Sequence, residues 1–580
     1  MQTENRVCQN CKNDFTIESD DFLFYEKIKV PAPTFCPDCR RQRRFSFRNT
    51  HALYKRKESH DGKEVLSIFS PDKDLVVYEQ KYWWSDAWDP MSYGREYDFT
   101  KPFFQQWKEL RDGFPLLNLS NSKSVNSDYC NVAEENYDCY LVTACFRNER
   151  VMYSDSTTYL KDCMDVHVMH KSEFSYDDTN CSDSYKLFYS EDSHSCTDSY
   201  FLYDCKGCTN CFMSANLRNK SYCFQNVQLS KEEYAKNIAQ YNLGDFTEIQ
   251  KLKNEFKEMK SKVIHRYAHI LNSYNVTGDN ISHAKNARFC FDVTDGPEDS
   301  KFMFWAAINI KDCYDTDAAG GGLETAYESF DVGVGGSNNL FTNIVYSSSN
   351  VTYSVNCYSS SNLFGCIGLR SKSYCILNKQ YTKEEYEELL PKILKHMNEM
   401  PYIDKAGLVY KYGEFFPAEL SLFGYNETVA SDYTPLSKEE VLQRGLSWKD
   451  PEEKTYKIDL ESAMLPSDIR DVTDEILEKV ISCAHKGECN DRCTTAFKIL
   501  PNELTFYRRF NIPLPRLCSW CRHYQRFRTR KPLKLWHRSC MCDKENHGHS
   551  GVCSNEFETA YSPEQPEVVY CESCYQKEVI

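Results

Sequence analysis

Through the middle of the chain the apolar positions come in brief runs broken by Asp, Asn and Ser. Cys163-Met-Asp, Cys181-Ser-Asp, Cys196-Thr-Asp and Cys208-Thr-Asn each precede a short aromatic or aliphatic run, at successive steps of 18, 15 and 12. Further on, Asn339-Leu-Phe, Asn350-Val-Thr and Asn362-Leu-Phe recur at steps of 11 and 12. Runs this short, closed by turn-forming residues, predict short strands and tight turns. Repetition at a small, near-constant step predicts a solenoid whose coils stack those strands into parallel sheets. Equivalent Cys, Asn and Ser positions then form ladders, and Cys, small and weakly polar, suits a narrow coil interior.

The pattern is duplicated. The segment from Leu217 to Tyr234 matches that from Leu369 to Tyr386 at an offset of 152, with two thirds of its positions identical. Leu160-Lys-Asp-Cys163 matches Ile310-Lys-Asp-Cys313 at an offset of 150. These matches predict two tandem solenoid units, 126–270 and 271–400. Each ends in a capping box, Ser230 with Glu233 and Thr382 with Glu385, so a helix should close each stack and cover its exposed edge. In the first, Ile249, Leu252, Phe256 and Met259 have helical spacing, and the helical stretch is expected to run toward His269 with a break near Gly244. The second should end near Met397. Residues 58–125 read as a Trp- and Tyr-rich connector with a helix at 102–111. Residues 401–480 read as a linker with small helices at 437–444 and 471–481. The predicted fold is thus mainly β.

Length adds that 580 residues suggest about four domains at roughly 150 each. No apolar run approaches the roughly 18 residues that span a bilayer, and no apolar signal segment opens the chain, so a cytoplasmic protein without membrane contact is expected. The 29 cysteines are then expected to be reduced, serving as metal ligands or small core residues.

The ends carry the metal chemistry. The N-terminal pattern Cys8-x2-Cys11-x24-Cys36-x2-Cys39 is answered at the other end by Cys489-x3-Cys493-x24-Cys518-x2-Cys521. Adding 482 carries Phe15, Phe24, Tyr25, Arg40, Arg44, Phe45 and Arg48 onto Phe497, Phe506, Tyr507, Arg522, Arg526, Phe527 and Arg530. Paired thiolates from two knuckles fill a zinc tetrahedron, so 1–57 and 481–538 are predicted zinc modules, with a small hairpin expected between the two ligand pairs. Residues 539–580 supply a third set. Cys571-x2-Cys574 is one half and Cys553 the next ligand, with Ser550 where a partner would stand. Cys542 is the favoured fourth ligand, Cys540 its competitor, and His547 and His549 the reserve. Three Zn2+ ions are expected, all in closed four-ligand sites.

Net charge is −15, but residues 40–57 hold eight Arg or Lys and residues 508–538 hold ten, neither stretch with an acid. Removing those eighteen positive charges leaves the remainder at −33. Arg40, Arg41, Arg43, Arg44 and Arg48, and Arg522, Arg526, Arg528 and Arg530, lie among Phe45, Phe47, Trp520 and Phe527, the mix that holds phosphates and unpaired bases. Two readings stand level: these arginines contact RNA or a ribonucleoprotein, or they pair with the chain's own acidic coils. Catalytic motifs are missing: Gly320-Gly-Gly322 lacks the Lys of a P-loop, and there is no HExxH or GxSxG. Asp162, Asp165, Asp312 and Asp315 recur, as carboxylates do in carbohydrate- or envelope-directed solenoid enzymes, although turn roles explain them more simply. The expected function is a non-enzymatic zinc-binding scaffold for RNA or protein partners; a solenoid enzyme is the alternative.

Cys8-Gln-Asn-Cys11, Phe24-Tyr25, Pro31 and Cys36-Pro-Asp-Cys39-Arg40 resemble the treble-clef zinc-binding domain common in bacterial proteins. With Trp83-Trp84-Ser85-Asp86, Asp89-Pro90, the LRxKSYC repeat and the tail from Tyr561 to Cys571, most of the chain resembles a bacterial multi-zinc family with treble-clef or zinc-ribbon modules at both ends. The resemblance implies zinc binding and no particular substrate. The chain departs from it at Cys489-x3-Cys493 and at Ser550.

Overall fold

Every third residue of the repeated region points inward. In a computed structural model of the protein, which describes residues 2–451 and 456–579, Cys139, Val142, Cys145, Asn148, Val151, Ser154, Thr157, Leu160, Cys163 and Val166 are all buried. Between them Leu141, Ala144, Arg147, Arg150, Tyr153, Ser156, Tyr159, Asp162 and Asp165 all adopt left-handed backbone conformation, with φ between 48° and 56°. Each triplet thus contributes one inward side chain and one sharp corner. Asn and Asp tolerate this conformation best among residues with a Cβ, which accounts for their density along the coils.

Four triplets make one coil. In the first solenoid the parallel strands pair at a step of 12, as in Asp155↔His167 and His167↔Thr179. The second solenoid opens at steps of 11 and 12, Ile270↔Ile281 and Gly278↔Cys290, and then widens to 13, with Lys285↔Glu298, Lys311↔Glu324 and Glu324↔Ser337. It finishes at 12, with Ser337↔Ser349 and Ser349↔Ser361. Left-handed residues at Gly296, Asn309, Gly322 and Gly335 recur at that step of 13 and absorb the extra residue at one corner.

A coil this narrow has room for small side chains and leaves inward backbone groups to be satisfied. The Ser154 hydroxyl donates to the Met152 carbonyl (2.8 Å) and accepts from the Val166 amide (3.2 Å), one coil further on. The Cys163 thiol donates to the Lys161 carbonyl (3.3 Å). Fifteen of the free cysteines are such interior residues, from Cys130 to Cys375.

Both stacks close alike. Cys223 and Cys375 are 1% and 0% exposed and begin equivalent antiparallel hairpins, Cys223↔Gln228 and Cys375↔Gln380. Capping boxes at Ser230 and Thr382 then start the helices Lys231–Ile238 and Lys383–Glu399. A second helix in the first unit, Phe246–Lys262, buries Ile249, Leu252 and Phe256. It stops short of His269, because Ile264–Arg266 pairs in parallel with Val568–Tyr570 of the C-terminal tail. The helix expected at 471–481 is only the short 3-10 turn Asp474–Glu478, after which Ile481–Ser482 is extended. Helices do form at Phe103–Gly113 and Lys438–Gln443.

The modules dock crosswise. The N-terminal module packs on the second solenoid, with Tyr25 edge-on to Tyr327 at 5.4 Å. The module containing Cys518 packs on the first, with Tyr507 edge-on to Tyr176 at 6.0 Å. Tyr25 and Tyr507 are the pair related by the offset of 482.

Ser154→Ala removes only the hydroxyl oxygen and leaves the Val166 amide without its acceptor. Stability to urea should fall by about 1–3 kcal/mol, the cost of a buried unsatisfied donor. An unchanged midpoint would refute the bridging role of the inward hydroxyls.

Candidate metal centres and docked arginines

A two-stranded hairpin, a cysteine-bearing turn and a helix whose first residues carry two more cysteines recur three times. Arg6↔Phe15, Ile481↔Phe497 and Arg538↔Phe557 are equivalent strand pairs. The residue after each first strand is a cysteine, and its amide donates across the turn: Cys8 to Asn13 (2.9 Å), Cys483 to Thr495 (2.8 Å) and Cys540 to Asn555 (2.8 Å). Its sulfur accepts the amide of the first helix cysteine: Cys36 to Cys8 (3.2 Å), Cys518 to Cys483 (3.3 Å) and Cys571 to Cys540 (3.2 Å). The helices Pro37–Phe45, Ser519–Phe527 and Glu572–Val579 start directly after those cysteines. Amides and the positive helix end both favour a thiolate there.

Each motif gathers four thiols with ligand atoms within 4.8 Å of one another: Cys8, Cys11, Cys36 and Cys39; Cys483, Cys493, Cys518 and Cys521; and Cys540, Cys553, Cys571 and Cys574. Sulfurs of a tetrahedral tetrathiolate, each about 2.3 Å from zinc, stand about 3.8 Å apart. Here Cys11–Cys36 is 3.7 Å, Cys483–Cys521 3.8 Å, Cys493–Cys518 4.0 Å and Cys518–Cys521 3.5 Å. These spacings in the first two modules fit a metal ion without rearrangement, and the third set gathers its four sulfurs within the same 4.8 Å.

Two expected ligands, Cys489 and Cys542, fall outside these four-thiol groups. Cys483 takes the corner expected for Cys489, because the second turn is longer than the first. The offset from the first module is 475 at Cys483 and 482 from Cys493 onward. Cys489 stays close, 3.6 Å from Cys521, in a neighbouring group with His485 and Asp491. In the third module Cys540, not Cys542, occupies the post-strand corner; Cys542 sits within the turn, grouped with His547, His549 and Cys574. Between the ligand pairs of the first two modules stand helices, Ser19–Lys27 and Pro501–Phe510, rather than the expected hairpin. They start alike, with the Asp21 carboxylate accepting the Glu18 amide (2.9 Å) and the Glu503 carboxylate the Leu500 amide (3.2 Å).

The arginines expected to face nucleic acid are mostly inside. Arg40 pairs with Asp315 (2.7 Å), Arg43 with Glu328 (2.7 Å) and Glu414 (3.0 Å), Arg44 with Asp317 (2.5 Å) and Arg48 with Asp331 (3.1 Å). In the other module Arg522 and Arg526 each reach Asp165 at 3.0 Å, Arg526 also reaches Asp177 (3.3 Å), and Arg530 pairs with Asp292. Arg41 and Arg528, closer to solvent, pair with Asp38 (2.7 Å) and Asp491 (2.6 Å). Phe45 is buried against Phe304 and Phe330, and Phe527 packs on Tyr433 and His167. Burial disfavours the charge on Arg40, Arg44 and Arg522, but their carboxylate partners outweigh it and hold all three above the usual arginine range. Burial raises Glu328 despite Arg43 and Arg44.

No family model and no curated protein matches the chain. Among solved structures, one described as a "putative acetyltransferase from Desulfovibrio desulfuricans G20" matches 46% of this chain and 70% of its own, at 9% identity and a TM-score of 0.11. A likeness that low carries no argument about fold or chemistry.

Cys483→Ser and Cys540→Ser should each lower the metal content of their module, whereas Cys489→Ser should leave the second thiolate set loaded; loss of that metal in the Cys489 variant would restore the spacing-based ligand. Asp165→Ala removes the carboxylate shared by two buried guanidiniums, leaving Arg526 with Asp177 (3.3 Å) and Arg522 with Glu503 (3.7 Å), and should cost about 3 kcal/mol of stability. In a salt titration followed by anisotropy the wild type should show no steep single-stranded RNA binding; a steep slope would return the arginines to a nucleic-acid surface.

Proposed function

We propose that the protein is a zinc-stapled β-solenoid scaffold that binds a macromolecular partner and performs no catalysis of its own. The observation that carries the reading is the threefold tetrathiolate geometry. Each set has four protein donors and no open position, which is the structural rather than the catalytic arrangement. Four thiolates favour zinc over hard cations, and the modules are read as treble-clef units. All 29 cysteines are free, in keeping with a reducing, cytoplasmic setting. Among the described residues no helix is long and apolar enough to cross a membrane.

The partner is read as a protein. Seven of the nine arginines expected to hold RNA pair with coil carboxylates, whereas the outer side of the first solenoid leaves Val125, Tyr137, Tyr159 and Tyr185 exposed. Exposed tyrosines among charged neighbours suit protein contact.

A second reading attaches to a groove of about 790 Å³ between the solenoids and the C-terminal region, lined by Asp177, Glu191, Asp279 and Asp292. A carboxylate-lined groove is what a carbohydrate-directed enzyme would need. Here, however, Lys253 pairs with Asp177 (2.5 Å), Lys531 with Asp279 (2.8 Å), Lys260 with Glu191 and Arg530 with Asp292. That pairing supports a docking seam over an acid–base pair. Glycan hydrolysis abolished by Asp292→Asn would favour the enzyme.

Elemental analysis of the purified full-length chain should give at least one zinc per module; fewer than three per chain would overturn the reading. A chelator should expose the modules to protease while the solenoids resist, since structural zinc contributes on the order of 10 kcal/mol to a small module. Material isolated from the native cells should retain a protein partner after ribonuclease treatment; loss of the partner on that treatment would favour a ribonucleoprotein.

A further inference from the structure

We propose that the C-terminal module holds a second metal ion, in a binuclear centre that shares the Cys574 thiolate with the tetrathiolate set. The inference rests on reading Cys540, Cys553, Cys571 and Cys574 as one zinc site, and it adds a distinct donor set beside it.

The third turn is the longest of the three, as the positions of its flanking cysteines show: Cys540 and Cys553, against Cys483 and Cys493 in the second module and Cys8 and Cys11 in the first. The additional residues carry Cys542, His547 and His549. The loop folds so that one donor atom from each of these, together with Cys574, lies within 4.8 Å of the others. Cys542 Sγ is 3.1 Å from His547 Nδ1, and Cys574 Sγ is 3.5 Å from His549 Nε2. Cys542, His547 and Cys574 are buried. Two thiolates and two imidazoles are a tetrahedral zinc donor set.

The far nitrogen of each imidazole has a neighbour of the kind that supports metal-bound histidine: His549 Nδ1 lies 2.9 Å from the Gly551 carbonyl, and His547 Nε2 stands 3.2 Å from the Glu578 carboxylate without a hydrogen bond to it. Nδ1 of His547 and Nε2 of His549 are the nitrogens turned toward the sulfurs. Cys542, His547 and His549 converge on Cys574, and a thiolate sulfur has lone pairs enough to serve two ions.

The second module carries an incomplete echo. His485, Cys489 and Asp491 gather around Cys521, the counterpart of Cys574. There Arg528 grips both oxygens of Asp491, at 2.6 and 2.8 Å, and occupies the carboxylate.

Metal analysis of tag-free, full-length protein decides the matter. Four zinc ions per chain are expected, falling to three in His549→Ala and in Cys542→Ser. His549 is only half-buried, so its variant should fold even if the cysteine variant does not. Cadmium-113 substitution of the wild type should give four resonances, two of them coupled to each other through the shared sulfur. Three zinc ions per chain in the wild type, unchanged in His549→Ala, would overturn the second ion while leaving the tetrathiolate reading intact. Fewer than three would instead defeat that underlying reading.

Discussion

Two arginine-bearing helices lie against the solenoids with their guanidiniums removed from water, and the rest of the architecture answers to that constraint. Desolvating such a charge costs several kcal/mol unless a carboxylate meets it in good geometry. The carboxylates come from coil corners: Asp165, Asp177, Asp315 and Glu328 all occupy left-handed positions. The arginines come from the metal-binding helices. Arg40 follows Cys39 and Arg522 follows Cys521 directly, so whatever fixes the thiols also fixes the guanidiniums. Thiol set, helix, arginine and coil corner form one line of dependence. The separation of charge along the sequence, −33 outside two basic tracts, is the one-dimensional image of this three-dimensional pairing.

The docking is duplicated in detail. Arg40 lies over Phe302 and Arg522 over Tyr153, at 5.5 and 4.9 Å from the ring centres. Asp315 and Asp165 are related by the solenoid offset of 150, as Arg40 and Arg522 are by the module offset of 482. The repeated unit is therefore a module together with a solenoid, although the chain order is module, solenoid, solenoid, module. Each module sits on the solenoid more distant in sequence. Contacts such as Arg40–Asp315 and Arg522–Asp165 span 275 and 357 residues, and such non-local contacts are slow to form.

Much of this was legible in the sequence, and the failures have physical causes. The solenoid, its duplication, both capping boxes and the closing helices could be read because turn residues and helix caps have local chemistry. The triplet period was not read, although the cysteine steps of 18, 15 and 12 are all multiples of three. Inward positions are filled by Cys, Ser, Thr and Asn as well as Val and Leu, so hydrophobicity does not mark them. Asp165 and Asp315 were given turn roles, which their backbone conformation matches; that the same side chains also meet arginine is a tertiary fact without a local signal. Cys483 and Cys540 did have one. Phe15, Phe497 and Phe557 each stand four positions after Cys11, Cys493 and Cys553, which fixes the second strand, and the first cysteine follows the strand paired with it. Fixed cysteine spacing was the wrong ruler because the turn between those strands varies in length.

That variation shows which part of the module is constrained. Lengthening a surface loop costs little, since closure entropy grows only logarithmically with length. The hairpin register, the amide-to-sulfur bond and the helix start are the same in all three modules, while the turns differ freely and the third module lacks the intervening helix. Without that helix it uses other surfaces. Val568–Tyr570 extends the strand Ile264–Arg266 at the junction of the two solenoids, Tyr575 bonds Asp204 (2.6 Å), and Arg266 pairs with Glu572 (2.6 Å). Two modules brace the solenoid flanks through arginine, and the third joins the solenoids where one stack ends and the next begins. One thiol-bearing frame serves both tasks because its geometry is held from within, leaving its outer residues free to match different neighbours.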